Sequence, residues 1–590
     1  MMGNTPREIL KHYWGYDSFR PLQEEIVASV LEGHDTLGML PTGGGKSITF
    51  QVPGLALGGL TLVVTPLIAL MKDQTDRLQR LGIKAAAVYM DMSPDEIRET
   101  YDRVETEHYN FLYLSPERLQ TRLLRARLPF MDVRLLVVDE AHCISQWGYD
   151  FRPPYLCIAE TRRYLAEAVK RPSPVPCIAL TATAPPEVVS DICRRLEFRK
   201  GYNVFQASFV RPNLTYTVLY SGNPFTDITR LLADGRSAII YVRSRRRTRD
   251  YAESLVAAGI PATFYHAGLT AQQKEERQEA WMKGEIPVVC ATNAFGMGID
   301  KPDVRTVIHI DIPPSPEEYY QEAGRAGRDG LPATAYLFVS DTTVFSLQAR
   351  LTHSYPERDY IRMVYDHLAY FFQLEIGEGQ DRTYEFDIFR FCAAYKLQAS
   401  DVHSALHLLT LAGYIQYVEE PEAHSRVMFT CSRESLYHLD RFDRDCQRII
   451  TGVLRLCTGV FADFQPFSED RIAAFAHLDR ETVYQKLLLL SRYHILHYIP
   501  ARQKPCIRYT VRRLDTDEIV IRHHIYEDRR ERDQKRVDAM LDYATSTDEC
   551  RLVRLVRYFG ENVARPCGKC DVCLSLAQSP SAAAETRQEP

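Results

Sequence analysis

Between residues 35 and about 340, short apolar runs alternate with helical stretches: DTLGML, TLVVT, VRLLVV and CIALT, then SAIIYV, ATFYH, PVVCA, VRTVIHI and AYLFV. Near-continuous apolar strands separated by helices fit a parallel sheet covered on both faces, because only such a sheet hides both sides of every strand. The region is therefore read as α/β, with ligands expected at the carboxyl ends of the strands. The residues ASFVRPNL (207–214) fall between the two strand groups and read as a linker, which divides the region into 1–206 and 207–344. At about 150 residues per domain, 590 residues predict about four units, so more must follow.

After about 345 the texture changes to helices followed by short strand pairs, as in VHSALHLLTLAGYIQYVEE and again in VYQKLLLLSRYHILHYI. Helix, strand, turn, strand is a winged-helix rhythm, and helical hairpins remain an alternative. The expected divisions are a helical or winged-helix-like region over 345–465, a second winged-helix-like domain over 466–515, a helical metal-binding module over 516–575 and a disordered tail over 576–590. Lys and Arg total 72 against 77 Asp and Glu, a net charge of −5, so any polyanion must be met by a local basic face. The N-terminal MMGNTPREIL has no apolar signal region, which predicts an intracellular, cytoplasmic protein. Residues 47–71 carry no charge, but Gln51, Pro53, Gly54, Gly58, Gly59 and Pro66 interrupt them, predicting a buried helix, turn and strand.

Pro41-Thr42-Gly43-Gly44-Gly45-Lys46-Ser47 follows a strand and precedes a helix. Its glycines let backbone N–H groups wrap a polyphosphate at a helix N-terminus, with Lys46 reaching the terminal phosphates and Ser47 offering a hydroxyl to Mg²⁺. Asp139-Glu140-Ala141-His142 ends the strand VRLLVV, and paired carboxylates there suit a metal ligand, Asp139, and a group orienting the attacking water, Glu140. Together these predict a nucleotide hydrolase. In Gln321 to Gly330, Arg325 and Arg328 are spaced at i and i+3 for one helical face, and planar guanidinium groups suit charge on a transferring phosphoryl group. RSRRRTR (243–249) reads equally as a phosphate-backbone grip and as an ordinary charged helix start.

Cys550, Cys567, Cys570 and Cys573 form C-x16-C-x2-C-x2-C. Four thiolates suit closed, structural, tetrahedral Zn²⁺, and an iron–sulfur cluster is the rival.

In order, WGYDSFRPLQEEI (14–26), LPTGGGKS, VVTPLIALMKDQ (63–74), YLSPERL (113–119), VVDEAHCISQWGYDFRPPY (137–155), LTATA (180–184), YHAGL (265–269), CATNAFGMGIDKPDVR (290–305) and EEYYQEAGRAGRDGLP (317–332) resemble the RecQ-type DNA helicases of superfamily two. The resemblance implies two RecA-like motor domains, dependence on ATP and Mg²⁺, 3′ to 5′ movement, and single-stranded and forked or branched DNA as partner. It implies that Gln23 bonds the adenine edge, with Tyr16 stacked on the base and Arg20 nearby, that Arg328 is an arginine finger and Arg325 a second γ-phosphate contact, and that Thr181 and Thr183 couple nucleotide state to domain motion. CISQWGYDFRP corresponds to an aromatic-rich loop sensing single strands, in which Trp147, Tyr149 and Phe151 suit base stacking and Arg152 suits phosphate. CRLVRLVRYFGENVARPCGKCDVC resembles the family's zinc module and favours Zn²⁺. The order of modules departs from the family: the zinc module here follows the winged-helix-like region, and no C-terminal domain of the helicase-and-RNase-D type is visible. The expected wing is PARQKPC (500–506), and Arg529, Arg532 and Arg536 are spaced for one helical face, as phosphate contacts or as a salt-bridged surface. A translocase that does not separate strands, and a DNA-binding scaffold switched by ATP, are the alternatives.

Overall fold

The computed structural model describes residues 5–41, 43–89, 92, 94–145, 151–296, 301–419, 425–431, 442–457, 460–461, 465–493, 495–500, 505–563 and 565–578. They fall into two compact units, one of residues 1–90, 102–348 and 535–590, the other of residues 91–101 and 349–534.

The first unit holds two parallel sheets. β1 (Thr36–Met39), β2 (Leu60–Val64), β3 (Ala85–Val88), β4 (Phe111–Leu114), β5 (Val133–Val138), β6 (Cys177–Thr181) and β7 (Asn203–Gln206) pair in the order β3-β4-β2-β5-β6-β1-β7. β8 (Leu214–Tyr220), β9 (Ala238–Tyr241), β10 (Ala262–Tyr265), β11 (Val288–Ala291), β12 (Thr306–His309) and β13 (Ala333–Val339) pair in the order β10-β11-β9-β12-β13-β8. Every residue of β1, β2, β4 and β6 is buried, as continuous apolar runs require when helices cover both faces. The uncharged stretch resolves into the helix Ile48–Leu57 and β2. No helix among the described residues is long and apolar enough to cross a membrane.

Asp35 fixes the foot of the first sheet. Its buried carboxylate meets Arg162 at 2.5 Å and Arg199 at 2.8 Å and accepts the Cys177 N–H at 3.0 Å, tying β1 to β6 and to the approach to β7. Burial opposes its charge, yet the two guanidinium groups hold it below the ordinary carboxylate range.

The second unit is two nested modules, which corrects the division expected at 465/466. β14 (Thr383–Glu385), β15 (Ile415–Val418) and β19 (Cys506–Tyr509) form one antiparallel sheet, ordered β14-β19-β15. β16 (Ser425–Phe429), β17 (Gln465–Phe467) and β18 (Leu496–Ile499) form another, ordered β17-β16-β18. One core draws on residues from Ile361 to Ile415 and again from Ile507 to Tyr526, and the other lies wholly between Val427 and Tyr498. The helix pair Ile388–Tyr395 and Ala399–Leu411 leading into β15 recurs as Glu469–Ala476 and Arg480–Arg492 leading into β18. Each pair turns on one left-handed residue, Lys396 or His477, whose N–H closes the first helix. Val402, Leu406 and Leu409 of one copy match buried Val483, Leu487 and Leu490 of the other. The copies differ in which strand completes the hairpin: β19 follows β15, whereas β16 precedes the helices that lead to β18. The second copy is thus inserted into the wing hairpin of the first. The expected wing at 500–506 instead joins β18 to β19, strands of different sheets, and residues 501–504 lie outside the described residues.

The helix Asp571–Gln578 runs past the tail start expected at 576, and residues 579–590 lie outside the described residues.

Candidate active site

The carboxyl ends of the first sheet's strands open on a cleft of about 980 Å³ that also receives residues of the second sheet's domain. Tyr16, Arg20, Gln23, Gly43, Gly45, Lys46, Ser47, Asp139, Glu140 and, from the second domain, Arg328 line it. The cradle runs from the end of β1 into the helix Ile48–Leu57, with Ser47 at the helix N-cap. Gly43 and Gly45 have φ of +80° and +77°, values that disfavour any side chain. Space is also tight there: a Cβ on Gly43 would lie 3.2 Å from Arg328 Cγ, and one on Gly45 2.3 Å from Gln23 Nε2, so either side chain would have to shift. Thr42 lies outside the described residues.

Asp139 follows β5, and its carboxylate accepts the Glu140 N–H at 3.0 Å and the Thr65 hydroxyl at 3.4 Å. Burial and the adjacent Glu140 carboxylate push its pKa up to about 6, against the pull of Lys46. Glu140 occupies the left-handed region at φ +46°, a strained setting for a side chain of its size, and the turn brings its carboxylate 3.8 Å from Lys46 Nζ. Its buried Oε2 has no hydrogen-bond donor and lies 3.4 Å from His142 Nδ1. Two adjacent carboxylates in a buried setting, with Lys46 beside one of them, fit a divalent cation, which would relieve the repulsion that raises Asp139.

Gln23 lines the cleft and also lies against the cradle. Its amide donates to the carbonyls of Gly44 (3.2 Å) and Gly45 (3.1 Å), and its Oε1 accepts the Arg20 N–H at 2.9 Å. Arg20 donates to the Gly43 carbonyl at 2.8 Å, so both residues brace the cradle. Tyr16 stands 53% exposed at the rim, open to a stacking partner.

The arginines sit differently from the helical face expected of them. The helix Pro316–Ala323 ends before both, and 324–330 form turns with Gly327 at φ +62°. Arg325 is buried and donates to the Gly296 carbonyl, whereas Arg328 reaches the cleft. Thr181 and Thr183 follow in β6 and the turn after it, where Thr181 Oγ1 lies 3.0 Å from His142 Nδ1 and donates to the Thr183 carbonyl at 3.1 Å. His142 therefore links the carboxylate turn to the threonine turn, a role that its spelling in the sequence does not announce. Tyr155, also missed, donates its hydroxyl to the Asp139 carbonyl at 3.0 Å. Of the aromatic loop, Trp147 and Tyr149 lie outside the described residues, Phe151 is half-buried and Arg152 donates to the Pro66 carbonyl at 3.3 Å.

In RSRRRTR, Arg243 pairs with Glu318, Arg246 with Asp250, Arg247 with Asp311 and Arg249 with Glu253. Arg245 is exposed and makes no ion pair among the described residues. Of the later arginines, Arg536 is held 3.5 Å from buried Glu317, and Arg532 donates to the Asp528 carbonyl at 2.8 Å in its own helix.

The Sγ atoms of Cys550, Cys567, Cys570 and Cys573 all lie within 4.8 Å of one another, a donor set that fits tetrahedral zinc. The Cys567 N–H donates to Cys550 Sγ at 3.2 Å and the Cys573 N–H to Cys570 Sγ at 3.4 Å, bonds that favour thiolates. Burial pushes the Cys567 thiol up to about 11, a cost that a bound cation removes.

Four family models match the chain: a DEAD/DEAH box helicase domain over 20–192, a helicase conserved C-terminal domain over 223–330, the RecQ helicase winged-helix domain of Bacteroidota over 427–500 and the RecQ zinc-binding domain over 510–574. The chain is 42% identical over 336 residues to the ATP-dependent DNA helicase RecQ of Haemophilus influenzae, a match covering 57% of this chain and 53% of the relative. It is 43% identical over 342 residues to that of Bacillus subtilis, covering 58% and 57%. It thus spans about half the length of the curated relatives that it matches. Among solved structures, the DUF1998 helicase MrfA bound to DNA is 18% identical with a TM-score of 0.49, covering 71% of this chain and 58% of that one.

Proposed function

We propose that this chain, which belongs to the RecQ helicase family, is an ATP- and Mg²⁺-dependent DNA helicase moving 3′ to 5′ and opening forked or branched DNA in recombination, repair and replication-fork maintenance. The observation that carries the reading is the single cleft in which Lys46, Asp139 and Glu140 of one domain face Arg328 of the other. In this reading Lys46 and the Gly43 to Gly45 amides bind the phosphates, with Thr42 part of the same cradle, and Tyr16 stacks on the base. Asp139 and Ser47 would hold Mg²⁺, which neutralises phosphate charge when bound. Glu140 orients the water through its undonated Oε2, and Arg328 meets the charge that develops on the transferring phosphoryl group. Arg325 supports this from the Gly296 carbonyl rather than from the cleft. His142 carries the state of the carboxylate turn to Thr181 and Thr183. Exposed Arg245 is the member of RSRRRTR best suited to a phosphate, and Trp147, Tyr149, Phe151 and Arg152 are assigned to the single strand. The cytoplasm is the expected compartment.

The nested second unit favours one further reading. The first module's paired strands β15 and β19 lead into a second module instead of closing directly on each other, and a translocase without strand separation is the reading this arrangement favours. Duplexes with 3′ or 5′ single-stranded tails separate the two. Opening of the 3′-tailed duplex alone, lost in Lys46→Ala, supports the helicase. ATP consumption on single strands with neither duplex opened supports the translocase. Glu140→Gln should bind ATP but lose hydrolysis about 10²–10⁴-fold, and steady hydrolysis in that variant would refute the site.

A further inference from the structure

The linker between the two sheets is tied at one end to the second domain and at the other to the zinc module. Arg211 donates from Nη1 to the Gly324 carbonyl at 3.3 Å and from Nη2 to those of Ala326 and Gly327 at 3.1 and 3.0 Å. Asn213 adds donations to the carbonyls of Gly327 at 2.7 Å and Leu331 at 2.9 Å. These carbonyls belong to the end of the helix Pro316–Ala323 and to the turns that follow, where the helical ladder has ended; that of Gly327 also accepts the Gly330 N–H at 3.1 Å. A planar guanidinium with several donors suits such a cluster, and a cation is favoured at a helix C-terminus. The segment held in this way presents Arg325 and Arg328. Its conformation leaves no slack: a Cβ on Gly327 would lie 2.5 Å from Asn213 Nδ2.

The other face of the linker is held by the zinc module. The Glu561 carboxylate accepts the Phe209 N–H at 2.6 Å and the Ser208 hydroxyl at 2.5 Å. The buried Phe209 ring stacks on Phe559 at 4.7 Å, and its carbonyl accepts the Tyr320 hydroxyl at 2.9 Å. Tyr558 donates to Glu317 at 2.9 Å, so the zinc module also grips the start of the helix whose end Arg211 caps.

We infer that Arg211 is a positioning residue for Arg328, and that Glu561 of the zinc module fixes the linker from which Arg211 acts. This rests on the reading of Arg328 as the group that meets the transferring phosphoryl. Residues 208–213 then move as one body with the second domain, and bending on cleft closure falls N-terminal to Ser208. The arginine turns stay in place through each cycle instead of being reassembled, which is how preorganised charge lowers a barrier. A displacement of about 1 Å at such a group costs on the order of 10²-fold in rate.

The test uses the full-length, zinc-loaded chain. Arg211→Ala should lower the kcat of DNA-stimulated ATP hydrolysis about 30–100-fold with KM for ATP within about threefold, because the interaction lost belongs to the transition state. Arg211→Lys, which keeps the charge without the fork, should fall between. The double variant Arg211→Ala/Arg328→Ala should match Arg328→Ala alone, since one acts through the other. Without nucleotide, amide exchange over 324–331 should quicken about tenfold in Arg211→Ala while β1 and β6 keep their protection, and Glu561→Gln should quicken exchange over 208–210. Wild-type kcat and exchange in Arg211→Ala, or full multiplication of the two single defects, would overturn the inference. If Arg328→Ala alone hydrolyses at the wild-type rate, the reading of the site fails instead, and exchange over 324–331 still reports whether the clamp exists.

Discussion

Replacing Arg551 by Met removes a fully buried cation from the middle of the zinc module. Arg551 follows Cys550 directly, and its Nε and Nη2 meet the Asp571 carboxylate at 2.8–3.2 Å. Its Nη1 donates to the carbonyls of Tyr543 and, at 2.7 Å, Ser546. One side chain thus ties the helices Glu527–Thr545, Arg551–Tyr558 and Asp571–Gln578, the last of which carries Cys573. Met fills comparable volume but leaves Asp571 with the Val218 N–H at 3.3 Å and strands two carbonyls. Breaking a buried pair costs about 3–5 kcal/mol. The Asp571 side chain keeps 23% exposure, which places the loss near the lower end, about 3 kcal/mol. At about 1.4 kcal/mol per decade, the module should open about 10² times more often. The assay is zinc release from native protein into a chromogenic chelator in excess, where the first-order rate should rise about 100-fold if opening precedes release. Arg551→Met/Asp571→Leu, which removes the unpaired charge as well, should recover most of that loss. Release in Arg551→Met within threefold of wild type, or a double variant whose defects simply add, would refute the argument.

Two further outcomes follow from the second unit. Asp443 caps the helix Arg444–Leu456, and Lys486 together with the Cys446 N–H draws its pKa from 3.8 down to about 2. A depressed carboxylate stabilises the fold above about pH 4 and loses that stabilisation as pH falls through 2, by a small amount because the group is half exposed. Melting temperatures of the full chain between pH 5 and 2 should fall less steeply in Asp443→Asn, and identical slopes would count against the cap and pair. Because Val418 pairs with Cys506 at the inner end of β15 and β19, removing 421–503 and closing the gap with Asn-Gly should restore a simple hairpin. That chain should stay folded, bind one zinc and hydrolyse ATP within about threefold of wild type, whereas aggregation or loss of zinc would contradict the nested architecture.

What the sequence discloses and what it hides divide along a physical line. The parallel sheets, the cradle, the carboxylate turn and the four cysteines were legible because each is written in neighbouring residues: apolar runs, glycines before a helix, adjacent acids, a short thiol spacing. The misread features depend on partners far along the chain. Arg325 and Arg328 have helical spacing, but Arg211, 113 residues before Gly324, takes the carbonyls that a continuing helix would have used. The resemblance assigns Gln23 to the adenine edge, and no local pattern shows that its amide also bonds the cradle carbonyls 21 and 22 residues on. Asp35 gathers Arg162 and Arg199 from 127 and 164 residues away, distances at which no local pattern survives. The second winged module was misplaced because the strand completing its hairpin, β16, precedes its helices, so helix-then-strand rhythm located the helices and missed the edge. In each case a backbone or carboxylate group had to find a partner when buried, and tertiary structure, not local propensity, chose it. The same rule gives the arginine turns their significance: a segment whose shape is supplied from outside can be held or released from outside, and here the linker and the zinc module are in position to do it.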